Sequence, residues 1–264
     1  QSRQEALTAL EEMMQKRAFG NAGDQVLIEE CLSGREVSLL AFTDGDTVIP
    51  MVPACDYKRR DDNDCGPNTG GMGAYSPPGF FDETLIRQVH NTVLEPTVQA
   101  LAREGRSYKG VLYAGLMLTE DGPKVLEFNA RFGDPETQVI LPRLESDLVE
   151  IMLAVVSGNL GTIKIKWSAQ ACVGVVMASG GYPGHYQTGF PIRGLDMLPP
   201  EIMAFHAGTR QWQTPGAMLT DGGRVLTVVA RGDSVAQARA IVYQYLPNIQ
   251  FEGCHYRKDI AARE

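Results

Sequence analysis

The chain reads as an α+β protein, and three features point that way. Apolar runs of strand length, bounded by Gly-containing turns, recur at 26–32, 36–42, 47–52, 110–118, 124–129, 170–178, 202–206 and 224–231. Segments with helical spacing of apolar residues fall between them, near 2–20, 82–105, 146–156 and 233–246. Short hairpin turns at Ser33-Gly34, Asp44-Gly45 and Asp121-Gly122 link several strands directly.

Ser2 and Glu5 form a capping box, after which Leu7, Leu10 and Met14 mark one face of a helix that ends near Gly20. The run from Val26 to Leu32 predicts a buried strand, and Glu36–Phe42 and Thr47–Val52 continue it as a meander. Residues 56–79 read as one long loop containing Gly66-Pro67-Asn68-Thr69-Gly70-Gly71-Met72-Gly73; loops of this length inside a domain are usually functional or disordered. Asp82 caps a helix carrying Leu85, Ile86, Val89, Val93 and Leu101, kinked at Pro96 and ended by Gly105. A hairpin follows over Gly110–Leu118 and Lys124–Asn129, then a helix from Ser146 to Val156 that Gly158 ends. After Gly161 the composition shifts to short strands between Gly/Pro-rich turns, and Asp233 caps a last helix to about Leu246.

Composition excludes several classes of function. With 24 basic against 32 acidic residues in 264, the net charge is -8, so no nucleic-acid or anionic-membrane partner is expected. No signal peptide and no apolar run long enough to span a bilayer is present. Cys31, Cys55, Cys65, Cys172 and Cys254 are odd in number and include no CxxC, which suits reduced thiols in a cytoplasmic setting. The four histidines are scattered without HExxH, and there is no Walker A string, no GxGxxG after a strand and no nucleophile elbow. What remains is positioning and charge neutralisation.

The segment Val125–Glu136 carries most of the chemistry. On a strand, Glu127 and Asn129 point to one face while Leu126 and Phe128 point into the core. A carboxylate and an amide oxygen are hard ligands suited to Mg²⁺, and Arg131 would continue that face as a fork for phosphate oxygens. A solvated polar strand face is the plain alternative. The glycines of 66–73 can let backbone N–H groups approach an anion, or simply make a surface loop. Glu29-Glu30-Cys31-Leu32 with Glu36 can read an amine donor and ribose hydroxyls, or be an ordinary sheet edge. Asp56 and Lys58 share a face if extended; alone they would be a surface ion pair.

Taken together, Glu29–Ser38, Gly66–Tyr75 and Leu126–Gln138, above all Arg131-Phe132-Gly133-Asp134-Pro135-Glu136, resemble the glycinamide ribonucleotide synthetases of the ATP-grasp superfamily. Further matching strings lie at 178–184, 205–209, 222–226 and 256–259. The resemblance implies an ATP-grasp fold: a remnant of the lid over 1–28, the main catalytic subdomain over 29–161 and a small α+β domain over 162–264. It implies ATP-dependent ligation of glycine to phosphoribosylamine through an acyl phosphate, in de novo purine synthesis. By resemblance, Glu127 and Asn129 would hold Mg²⁺ or Mn²⁺, and Arg131 would stabilise the transferred phosphoryl group. Glu29, Glu30, Cys31 and Leu32 would form the adenine hinge, Glu36 would reach the ribose, and Pro53 would line the nucleotide site. Asp56, Lys58, Asn68 and Asp134 would face the glycine and phosphoribosylamine.

Two departures from the family pattern qualify this expectation. Gln1 is not a natural start, so the chain is expected to be a fragment lacking the N-terminal domain and most of the lid, and inactive alone. The strand Ala114–Leu118 offers no further carboxylate, so the metal is expected to depend on ATP oxygens. A different ATP-grasp carboxylate–amine ligase, or an inactive module of a multifunctional purine enzyme with other enzymes fused to it, are the competing readings.

Overall fold

The computed structural model describes residues 2–212 and 216–264. It forms two compact units, residues 1–33 and 34–264. In the smaller unit, α1 (Arg3–Leu10) carries the expected capping box: Ser2 Oγ accepts from Glu5 N, and Glu5 Oε2 accepts from Ser2 N at 2.8 Å. A π-helical turn over 11–15 ends the helix earlier than Gly20. The expected strand at 26–32 does not form. Leu27 and Ile28 are each 80% exposed, and among the described residues no strand pairs with the segment. Apolar content alone does not make a strand; the backbone needs a partner ladder.

The larger unit runs in chain order through β1 (Arg35–Thr43), β2 (Val48–Pro50), β3 (Cys55–Asp56), the ribbon β4 (Arg59–Asp61) and β5 (Cys65–Asn68), and β6 (Gly73–Ser76). Then come α2 (Glu83–Val89), a π turn over 90–94 and α3 (Glu95–Arg103); β7 (Gly110–Thr119) and β8 (Gly122–Asn129); α4 (Thr137–Ile140) and α5 (Leu148–Ser157). The remainder holds β9 (Ala171–Ala178), β10 (Pro191–Ile192), β11 (Ile202–His206), β12 (Thr209–Gln211), β13 (Met218–Thr220), β14 (Arg224–Gly232) and α6 (Val235–Tyr245).

Local sequence accounts for most of these boundaries. Asp82 Oδ1 accepts from Leu85 N at 2.9 Å, Asp147 Oδ1 accepts from Val149 N at 2.7 Å, and Gly158 ends α5 at φ 75°. The π turn sits just before Pro96, where a regular helix would need the N–H that proline lacks. The last helix is capped by Ser234, not Asp233: Ser234 Oγ accepts from Gln237 N at 3.1 Å.

Two sheets position the site. One has the order β2-β1-β7-β8, the other β11-β14-β9-β6-β3, and all pairings are antiparallel. Side chains alternate into two apolar clusters: Val37, Leu39 and Ala41 of β1 join Leu112 and Ala114 in one, while Leu40 and Phe42 join Val111 and Tyr113 in the other. Burial on both faces explains why β1, β7 and β9 read as continuous apolar runs.

The stretch 56–79, expected to be one loop, is instead partly ordered. Its middle folds into the β4–β5 ribbon, and β6 pairs with β9 from far along the chain. The five-stranded sheet thus takes strands from both sides of residue 161. No described helix is long and apolar enough to cross a membrane.

Candidate active site

The site grows from the register of three neighbouring strands. Ser38 of β1 stands opposite Gly115 of β7, and Gly115 stands opposite Glu127 of β8. Two residues along, Tyr113 stands opposite Asn129. Residues directly opposite in an antiparallel pair share a face, so Ser38, Tyr113, Glu127 and Asn129 lie on one side of the sheet. Gly115 leaves the floor between them open. A Cβ there would sit 3.2 Å from Glu127 Cγ and 3.8 Å from the Tyr113 ring. The result is a cleft of about 250 Å³ lined by Glu36, Ser38, Asp56, Lys58, Tyr113, Leu126 and Glu127, among others.

Gly115→Val therefore tests the cleft without touching a polar group. Valine suits a strand, so the thermal midpoint should move little. Any turnover by the whole protein that depends on this cleft should fall about tenfold or more, because Glu127 must shift to make room. Unchanged kcat/KM would mean the cleft is not where the reaction occurs.

The expectation that Leu126 and Phe128 point into the core is corrected here; they are 37% and 44% exposed. β8 is an edge strand, and its pairing with β7 slips between Gly115 and Leu116, leaving Leu126 as the extra residue of a bulge. A bulge re-aims the side chains beside it, and Leu126 lines the cleft. Glu127 and Asn129 do meet: Asn129 Nδ2 donates to Glu127 Oε1 at 3.1 Å. Arg131 lies beyond the strand end, exposed, with Nη1 donating to Phe132 O at 2.9 Å, and it does not line the cleft.

Asp56 and Lys58 also line the cleft, with Lys58 Nζ 3.4 Å from Asp56 Oδ2. The pair is not a surface ion pair, since the Asp56 side chain is buried. Burial pushes the Asp56 carboxyl up against the pull of Lys58, and Glu36 adds to the rise. For Lys58, burial works against the charged form but is outweighed by Asp56, Glu36 and Glu136, so its pKa rises. One ammonium thus serves a group of three carboxylates, an arrangement that favours a further cationic group in the cleft.

Asp56, Lys58 and Glu36 also line a second, larger cleft of about 540 Å³, together with Asn68 at the end of β5. Pro53 lines neither; it is buried, and its carbonyl accepts from Ser76 Oγ at 2.6 Å. Glu29, Glu30, Cys31 and Leu32 belong to the smaller unit, in irregular backbone.

The glycine loop does not hold its amides open for an anion. Thr69 N donates to Lys58 O (2.7 Å), Gly70 N to Tyr182 Oη (3.0 Å), Gly71 N to Thr69 Oγ1 (3.0 Å) and Met72 N to Tyr57 O (2.7 Å). The glycines serve close packing instead. Gly71 has φ +117°, and a Cβ on it would meet Pro135 Cδ at 2.4 Å. Arg224 clamps this loop to Asp134: its Nη1 donates to Gly70 O and Asp134 O, both at 2.8 Å, and lies 3.3 Å from Asp134 Oδ1.

Sequence reasoning did not single out Ser38, Tyr113, Glu136 or Arg224 as site residues. Ser38 follows Glu36 by one strand period, which was a usable signal. Tyr113 and Arg224 become visible only through pairing register and a contact more than 150 residues along the chain.

Comparison with known proteins agrees with this architecture. Residues 1–137 match the family described as phosphoribosylglycinamide synthetase, ATP-grasp (A) domain, and residues 172–263 match the C domain of the same synthetase. The chain is 52% identical over 258 residues to the phosphoribosylamine–glycine ligase of Caldanaerobacter subterraneus, covering 98% of this chain and 61% of that protein. It is 50% identical over 264 residues to the trifunctional purine biosynthetic protein adenosine-3 of Gallus gallus, covering 99% of this chain and 26% of that protein. The crystal structure of phosphoribosylamine–glycine ligase from Thermotoga maritima superimposes with a TM-score of 0.84 at 33% identity, covering 98% of this chain and 64% of that one. The chain thus spans about 60% of the length of its bacterial relatives. With an ATP-grasp fold and matches to both synthetase domains, the chain belongs to the phosphoribosylglycinamide synthetase family.

Proposed function

We propose that the whole protein carrying this chain ligates glycine to 5-phosphoribosylamine at the expense of ATP. Glycine would first become glycyl phosphate, and amine attack would then give glycinamide ribonucleotide, ADP and phosphate. The observation that carries this reading is the sheet face on which Glu127, hydrogen-bonded to Asn129, lines a cleft over Gly115 together with Asp56 and Lys58. Names of relatives at 50–52% identity support the choice of substrates.

Glu127 and Asn129 fit a divalent ion, Mg²⁺ or Mn²⁺, because each brings a hard oxygen to the same solvent-facing edge; they meet through Asn129 Nδ2, so the amide would turn its Oδ1 toward the ion on binding. Among the described residues no group of three or more His, Cys, Asp or Glu side chains converges as a metal cage, which favours a shell completed by nucleotide oxygens and water. When bound, the ion would neutralise charge on the phosphates. Arg131, exposed beyond the strand end, would serve the transferred phosphoryl group. Glu29, Glu30, Cys31 and Leu32 would present backbone groups to adenine, with Glu36 for the ribose and Pro53 supporting the nucleotide site. Asp56, the Lys58 ammonium, Asn68 and Asp134 would receive the amino acid and the amine.

The chain would divide into a lid remnant over 1–28, a main subdomain over 29–161 and a C-terminal domain over 162–264; the family matches ending at 137 and beginning at 172 support a boundary between the last two. A cytoplasmic setting accords with the absence of disulfides among the described residues. Fusion to further purine enzymes is supported by the Gallus gallus relative.

The deciding assay is ADP release from Mg-ATP with phosphoribosylamine and each of a panel of amino acids. Release is expected to depend on glycine. A different carboxylic acid used at a higher kcat/KM would favour another ATP-grasp ligase and overturn this reading.

A further inference from the structure

Behind the cleft, two hydroxyls lead to one buried carboxylate. Ser38 and Tyr113 line the cleft; Ser38 Oγ is 2.7 Å from Tyr113 Oη, and Tyr113 Oη donates to Glu136 Oε1 at 2.5 Å. Glu136 is 3% exposed, and its Oε2 has no hydrogen-bond partner among the described residues. Leaving a buried carboxylate oxygen unpaired costs about 1–3 kcal/mol or more, which a purely structural carboxylate would not be expected to carry. A glutamine or an apolar side chain would hold the same space at less cost.

The direction of the hydrogen bonds follows from donor counting. An ionised Glu136 accepts from Tyr113 at 2.5 Å and lies 3.5 Å from Ser38 Oγ; the Ser38–Tyr113 contact is much the shorter at 2.7 Å, so the Ser38 proton goes to the Tyr113 oxygen and Ser38 turns lone pairs toward the cleft. The relay ends there in an acceptor: Ser38, 3% exposed, lines the cleft, and links of 2.7 and 2.5 Å join it to the Glu136 carboxylate, which does not line it.

We propose that Ser38, Tyr113 and Glu136 form a relay that removes the proton from the attacking amine. This rests on the ligase reading above. As the new C–N bond forms, the bond from the acyl carbon to the bridging oxygen of the acyl phosphate breaks; phosphate leaves with that electron pair and takes up one proton from solvent. One N–H proton passes to Ser38 Oγ while the Ser38 proton passes to Tyr113 Oη and the Tyr113 proton to Glu136 Oε1. Glu136 ends neutral, and the same hydroxyls return its proton to solvent after product release. Nothing is oxidised or reduced.

The surroundings of Glu136 suit a proton acceptor. Burial pushes its carboxyl upward and Asp56 of β3 adds to the rise, while the Tyr113 hydrogen bond from β7 and the Lys58 charge oppose it. Ser38 of β1 and Gly133 complete its neighbours, and a Cβ on Gly133 would lie 2.4 Å from Oε2.

The test separates the two half-reactions in the whole protein. Hydroxylamine captures glycyl phosphate as the hydroxamate; phosphoribosylamine gives the amide. In Glu136→Gln and Tyr113→Phe, the amide-to-hydroxamate ratio is expected to fall about 10²-fold, the typical scale of general base catalysis, and the pH profile of amide formation should change. Ser38→Ala should lower the ratio and Ser38→Thr, which keeps the hydroxyl, should restore it; these variants also serve if Glu136→Gln does not fold. An unchanged ratio, with both products falling together, overturns the relay. Wild-type protein that forms no glycine-dependent hydroxamate overturns the ligase reading, and the relay with it.

Discussion

In the whole protein carrying this chain, with the proposed ligase activity, replacing Glu127 with alanine is expected to lower turnover by at least about 10²-fold while leaving the unfolding midpoint within a degree or two of wild type. The first half follows from chemistry. Phosphoryl transfer depends on charge neutralisation, and losing one preorganised electrostatic group at such a site typically costs about 10²–10³ in rate. The second half follows from position. Glu127 is exposed on the edge strand β8, and its hydrogen bond with Asn129 is to another cleft-side group, so little packing is lost. Glu127→Gln separates charge from shape, since it keeps the bulk of the side chain and removes the anion. It should raise the Mg²⁺ concentration needed for half-maximal activity more than it raises KM for glycine. A Glu127→Gln variant with wild-type dependence on both would remove Glu127 from the metal site.

The sequence made this strand legible because Glu127-x-Asn129 obeys the two-residue period, and the period holds wherever a strand is regular. It failed one residue earlier, at Leu126, because a bulge changes the count and nothing in Lys124-Val125-Leu126 announces one. Gly115 was noted only as a position without a carboxylate. Its value as the floor of the cleft depends on standing opposite both Ser38 and Glu127, a matter of register between strands. The sequence leaves two readings of the glycine loop open for a related reason. Its amides could have faced an anion, but side chains and carbonyls from Lys58, Tyr57 and Tyr182 take them up. Caps at Ser2, Asp82 and Gly158 were read correctly since capping is decided within four residues. The segment 26–32 shows the converse: high local β propensity without a pairing partner gives no strand.

Arg257→Ala is expected to destabilise the larger unit by about 3 kcal/mol, the low end for breaking a buried ion pair, because the guanidinium is buried while the Asp64 and Asp259 carboxylates stay partly open to water. Arg257 is fully buried, with 0% exposure. Its Nε and Nη2 fork onto the two oxygens of Asp259 at 2.7 Å each, Nη1 donates to Asp64 Oδ1 at 2.9 Å and to Arg59 O at 3.1 Å, and its guanidinium stacks 4.7 Å from the Tyr57 ring. Around this hub the segment 257–261 is stitched to the ribbon of β4 and β5: Lys258 N donates to Asp62 Oδ1, Asn63 N to Asp259 Oδ2 and Ala261 N to Tyr57 Oη. Alanine would leave a void beside the Asp259 carboxylate and the Arg59 carbonyl, while Asp64, 54% exposed, would turn to water. Lysine should rescue little, because a point charge cannot serve the Asp259 fork and the Asp64–Arg59 pair together. Acid adds a second readout. Burial alone would raise the Asp259 carboxyl, but the Arg257 hydrogen bond and Asn63 N–H outweigh it and hold the pKa down at about 2. A folded pKa below the unfolded value contributes stability that is fully present above about pH 4 and is lost as pH falls toward 2. Wild-type protein should therefore lose stability to urea across that window, and Arg257→Ala, already weakened at pH 7, should lose distinctly less between pH 4 and 2. Equal acid slopes in the two proteins would show that Asp259 owes its low pKa to the Asn63 amide and not to the guanidinium.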